Sequence, residues 1–188
     1  MKISQNELLD ALILQVQENL ATTTTFLNLT TEELNTRLSA TSWSILECMA
    51  HLNLYGDYYI EKIDTDLKTK NKPKKKDSYK GGWLGNYFTN LMAPVNQKIK
   101  NKMPSPKDKN TIGQTLDKST LEIRIEQQLK IIKLLESARN SDLGGMRVPI
   151  TISKMIKLKL GDTFRFLIAH EHRHTLQSLN IIHALEVY

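Results

Sequence analysis

A single cysteine, Cys48, stands among the 188 residues. No intrachain disulfide can form, and a reducing cytoplasm is the expected setting. Long apolar runs are missing as well. None approaches the ~20 residues that a membrane span needs, so no membrane partner is expected. The opening MKISQNELLDALILQVQENL interrupts its apolar stretch with acids and amides. It reads as an amphipathic helix rather than a signal peptide. Excess charge is also missing, except in one place. Residues 68–80, KTKNKPKKKDSYK, hold seven Lys and one Asp, and the rest of the chain carries 19 residues of each sign. The net charge of +6 therefore belongs to one Pro-containing stretch. Aromatic residues do not alternate with those lysines as a base-stacking surface requires, so nucleic acid is not an expected partner. The stretch reads as a solvated loop, or as a contact for the carboxylates of an anionic small molecule.

The apolar share, 40%, is enough for a packed core. A chain of this length makes one domain, residues 1–188, that buries roughly 70% of its unfolded surface. Apolar residues at helical spacing predict a helix over 5–26, with Ser4 and Glu7 as a capping box. A connection with a short helical turn after Thr31 follows. Ser44 with Glu47 opens a second helix to about residue 67, with Gly56 as its weak point. The basic loop ends at Gly81-Gly82, and WLGNYFTNLM, 83–92, suits a short helix. Residues 93–117, rich in Pro and Lys, read as irregular. Ser119 with Glu122 opens a third long helix to about residue 139. Residues 141–160 contain Gly144-Gly145 and Pro149, and read as a short strand or as a loop running into a helical turn. Asp162 or Thr163 then caps a last helix to about residue 186. No repeat is present. The whole reads as an all-α fold: a four-helix bundle with a long crossover connection, plus short extra helices.

Three of five histidines fall in AHEHRHTLQ, residues 169–177. His170-Glu171-His172-Arg173-His174 matches H-E-x-x-H, the zinc-protease signature. That signature demands a third ligand downstream. Gln177 stands where the extended form has Gly, and Asn180 where it has His. Glu186, the acid beyond, lies on the same helix, ~18 Å along from His170. The protease reading is therefore set aside.

At ~100° per residue, His170 and His174 share the most apolar side of the helix, while His172 and His183 lie ~200° and ~220° away, toward solvent. An inward pair at this spacing reads either as half of a metal site or as two core histidines satisfied by neighbours. For a third ligand, the remaining histidine is His51, on a polar face of the second helix with Ser44, Glu47, Cys48, Tyr55 and Tyr58. Three neutral imidazoles would leave coordination positions open for water or substrate. Glu171 is a candidate base, against the plainer reading of a solvent-facing acid. Gln177, one turn below His174, could orient a ligand or fill a cavity. Glu47 could accept a hydrogen bond from a ligand imidazole. Tyr55 and Tyr58 could line a cofactor site or simply pack. Cys48 reads as a small core residue.

Two stretches carry a resemblance. TSWSILECMAHLNLYGDYYIEKI (41–63), with its Trp-Ser start and a His about eight residues on, resembles the second-helix motif of the DinB-like (YfiT-type) superfamily. LGDTFRFLIAHEHRHTLQSLNII (160–182), with H-x-x-x-H and a following Gln, resembles that family's last helix. The resemblance implies a bundle with a divalent metal, commonly zinc or nickel, on a histidine triad, which falls here on His51, His170 and His174. Members of that family include thiol-dependent S-transferases using bacillithiol, mycothiol or glutathione, a maleylpyruvate isomerase and many proteins of unknown activity; many form homodimers, and the resemblance picks no one reaction. The expected function is thus a metal-dependent enzyme of thiol S-transferase or hydrolase type acting on a small-molecule substrate, with a low-molecular-weight thiol as a candidate cofactor. The alternatives are a bundle that binds metal or a small ligand without catalysis, and a structural protein with no metal.

Overall fold

The computed structural model describes residues 2–100 and 103–186, without the side chains of Lys154 and Glu186. Glu186 thus lies outside the described side chains. Four long helices form the bundle: α1 (Gln5–Thr25), α3 (Ile45–Thr69), α5 (Ser119–Ser137) and α6 (Leu160–Glu186). Two short ones, α2 (Thr31–Asn35) and α4 (Trp83–Met92), sit outside it. Around the bundle the order is α1, α5, α3, α6, so α1 and α3 stand diagonally, as do α5 and α6. This is the all-α arrangement expected, and the long α3–α5 connection is its crossover. No helix of the described residues is long and apolar enough to cross a membrane.

Local chemistry explains most boundaries. Ser4 N–H donates to Glu7 at 3.1 Å. Ser44 N–H donates to Glu47 at 2.8 Å, and Glu47 N–H returns a bond to Ser44 Oγ at 3.2 Å. Several expectations need correction. At α5 the capping oxygen is Asp117's, which accepts from Ser119 N–H at 2.9 Å, so Ser119 is inside the helix. The stretch 141–160 is a hairpin, β3 (Arg147–Ile150) against β4 (Ser153–Lys159), which runs directly into α6 at Leu160. The helix therefore begins before Asp162, whose carboxylate instead anchors Tyr79 Oη (2.6 Å) and Gly82 N–H (2.9 Å). The basic stretch is not wholly loose either: β2 (Ser78–Tyr79) pairs antiparallel with β1 (Ile3–Ser4). The helix α3 runs through Gly56 without a break. The Gln127 side chain of α5 fills the space beside it, so a Cβ there would stand 2.0 Å from Gln127 Oε1.

The core is layered. One apolar cluster gathers Leu9, Val16, Tyr59, Leu135 and Phe164; a second gathers Phe26, Met49, Leu52, Leu121 and Ile181. On α1, α5 and α6, buried polar residues come between the two clusters: Asn19; Arg124 and Gln128; then His170, Glu171 and His174. His51 joins them from α3, beside Leu52. A polar layer thus crosses the middle of the bundle, and every long helix contributes to it.

Candidate metal centre

His51, His170 and His174 are only 3, 3 and 7% exposed, and one ring nitrogen from each lies within 4.8 Å of the others. His170 Nε2 is 3.2 Å from His51 Nε2 and 3.1 Å from His174 Nε2. The outer nitrogens fix the protons. His51 Nδ1 lies 2.7 Å from the Lys109 carbonyl, which can only accept, so the proton sits on Nδ1 and Nε2 keeps its lone pair. His174 Nδ1 faces Gln177 Oε1 at 3.0 Å, with the same consequence. His170 Nδ1 is buried with no hydrogen-bond partner among the described residues. A proton on His170 Nε2 can serve one of the two facing lone pairs and never both. A divalent cation serves all three. Two nitrogens ~2.1 Å from a tetrahedral zinc stand about 3.4 Å apart, close to the spacing here. The donor set fits a metal ion.

Burial keeps these rings neutral and ready to ligate. It pushes His51 down to about 4, and His170 and His174 well below the usual imidazole range, helped by their mutual proximity. Aromatic walls enclose them. Trp43 lies 4.6 Å from His51 and 5.5 Å from His174 between ring centroids. Tyr55 is 4.8 Å from His170 on the same measure, and Phe166 stacks on His170 at 6.0 Å. Trp43 in turn donates to Asn110 Oδ1 at 3.3 Å.

A family model described as the DinB superfamily matches residues 15–178. The chain belongs to the DinB superfamily. The stretch 41–63, all three converging histidines, and all but the last four residues of the stretch 160–182 fall inside the matched span. A comparison with curated proteins finds no match, and neither does one with solved structures.

Other residues of this DinB-superfamily chain fall in different places. Gln177 and Tyr55 adjoin the centre, through His174 and the His51 and His170 rings. Tyr58 does not: its hydroxyl donates to the Pro149 carbonyl at 3.3 Å, on the hairpin. Glu47 bonds no imidazole. Its carboxylate takes the Arg37 guanidinium and Gly113 N–H (2.6 Å), and its carbonyl takes Thr111 Oγ (2.7 Å). It therefore holds the 109–113 segment whose carbonyl orients His51. Cys48 is buried, and that burial pushes its thiol up to about 12, so it is no nucleophile at neutral pH.

Glu171 is the main correction. The plainer reading had it facing solvent, and it is 1% exposed. It points away from the histidines toward α5, where Gln128 donates to it and Arg124 Nη2 stands 3.6 Å away. Burial raises its pKa, opposed by the Arg124 charge. His172 is half-buried, 3.3 Å from Asn19 Oδ1, whereas His183 is exposed as expected. The physical reason is that α6 packs against α1, α3 and α4 together, so its second face meets protein rather than water.

Sequence reasoning missed Lys109, because a backbone carbonyl in an irregular segment leaves no trace in residue type. It also missed Arg124 and Gln128, which look like surface residues of a helix.

Proposed function

We propose that this chain binds a divalent metal ion, zinc or nickel, through His51, His170 and His174, and uses it as an enzyme of thiol S-transferase or hydrolase type. The single observation that carries this reading is the meeting of three imidazole Nε2 atoms with at most one proton among them. Such a cation lowers the pKa of a bound thiol or water and supplies a nucleophile at neutral pH. The protein's own groups do the rest. Lys109 and Gln177 hold the tautomers that present lone pairs inward. Trp43, Tyr55 and Phe166 exclude bulk water. Since Cys48 is an inert thiol and Glu171 faces elsewhere, neither nucleophile nor base comes from these two side chains, which favours a small exogenous thiol or a water molecule as the reacting partner.

The near-complete burial of the triad supports a second reading, a metal-binding bundle without turnover. Two measurements separate the possibilities. Metal analysis of the purified protein, with and without zinc or nickel loading, should give about one ion per chain, lost in His51→Ala. Absence of stoichiometric metal in the loaded wild type rejects both readings. Loaded protein is then screened with bacillithiol, mycothiol or glutathione plus a small electrophile. Thiol conjugation dependent on His170 supports the transferase, and metal binding without turnover supports the second reading.

A further inference from the structure

The other half of the polar layer has no part in the function proposed above. Arg124, 1% exposed, is among the largest fully buried side chains of the bundle, and Glu171 is buried as deeply. Their contact is poor for an ion pair: 3.6 Å between Arg124 Nη2 and Glu171 Oε1. Arg124 Nε and Nη2 make no hydrogen bond among the described residues. The connections run instead through amides. Gln128 Nε2 bridges Glu171 to Thr23 of α1 (3.2 Å to Thr23 Oγ). Arg124 Nη1 donates to Gln127 Oε1 at 3.1 Å, and Gln127 Nε2 reaches the Asn53 carbonyl on α3, also at 3.1 Å. All four long helices are tied to this one pair.

Burying two charges with imperfect partners does not favour stability; apolar residues of similar volume usually do as well or better. The arrangement has to be explained by something else. From Leu160 to Phe164, and again from Phe166 to Ile168, α6 is buried without a break, and burial resumes at 170–171 and 173–176. A helix covered on so many sides has only a narrow stripe of less buried positions, Arg165, Ala169, His172, Asn180 and His183, to set its rotation. Adjacent residues differ by ~100°, so a slip of one residue would put Glu171 where His170 belongs.

We infer that the Arg124–Glu171 pair, with Gln128, is a rotational lock on α6 that aims His170 and His174 at His51; these are positioning residues for the metal centre. The inference rests on the metal reading for its chief measurement. Residues supporting metal ligands from behind typically change metal affinity 10–100-fold when lost.

Cobalt(II) is the probe, because its visible spectrum reports ligand number and geometry as well as affinity. The apolar replacement Arg124→Met/Glu171→Leu should keep or raise the melting temperature, yet bind cobalt at least tenfold more weakly with an altered spectrum. Glu171→Gln, which still accepts from Gln128, should stay within about threefold of wild type. A folded double variant with wild-type spectrum and affinity overturns the lock. If the double variant does not fold, Gln128→Leu is judged by the same two criteria. A wild type that binds no cobalt rejects the metal reading by itself. The lock is then decided by the metal-free structure of the double variant: it stands if the His51–His170 contact is lost, and falls if that contact persists.

Discussion

The two halves of the polar layer sit back to back on α6 and are equally buried, yet they are built on opposite principles. The histidine half is neutral. Its lone pairs converge, and its protons are parked on outer partners, Lys109 and Gln177. The Arg124–Glu171 half is charged, and it is held by amides from the surrounding helices. A neutral cluster with surplus lone pairs is suited to receive a cation. A charged cluster already containing its own counter-ion is suited to hold helices in one arrangement. Burial alone does not distinguish a ligand site from a structural device; the count of protons and lone pairs does.

Three experiments press on this contrast. The largest effect is expected from Arg124→Ala. It leaves Glu171 buried without its cation and should cost about 3–5 kcal/mol in chemical denaturation. A loss under about 1 kcal/mol would mean that the pair is solvated or mobile. Next is acid. The histidines of the metal-free protein are held below their unfolded pKa near 6.5, so the unfolded chain takes up protons first. Stability is therefore full above that value and should fall as pH drops from about 6.5 toward 4, by up to about 1.4 kcal/mol per pH unit for each histidine. Glu171, whose pKa is raised, works in the opposite sense, since its protonation favours the folded state. The slope should thus diminish in His51→Ala and not in Glu171→Gln; a flat profile for wild type contradicts the neutral-cluster description. The smallest effect belongs to Gln177→Leu. It removes only the outer partner of His174 and should weaken zinc binding roughly tenfold, with little change in denaturation midpoint. Unchanged affinity would show that His174 needs no support from that side.

Much of this was legible in the sequence, for identifiable reasons. Ser4–Glu7 and Ser44–Glu47 are local signals, and local bonds honour them. The four-residue spacing of His170 and His174 is a property of any helix, so their shared face could be counted, and few histidines were left to meet them. The hairpin at 147–159 was not read as such, only as a short strand or a loop into a helical turn, because β3 is a four-residue strand containing Pro149 and leaves little periodicity. Glu171 was misplaced because a helical wheel assigns directions and says nothing of how many directions are covered. Arg124 was invisible for the same reason: in sequence it is a charged residue between Ile123 and Ile125, and only the packing of four helices shows it to be internal.

The segment that follows Pro106 has a consequence for dynamics. Lys109 orients His51, Asn110 takes the Trp43 indole, Thr111 and Gly113 bond Glu47, and Glu47 caps the helix that carries His51. These links close a ring in which no member can leave alone. The irregular stretch and the first turns of α3 therefore open and shut as one cooperative unit. The protection of the Gly113 amide against exchange becomes a direct gauge of how long His51 keeps its aim.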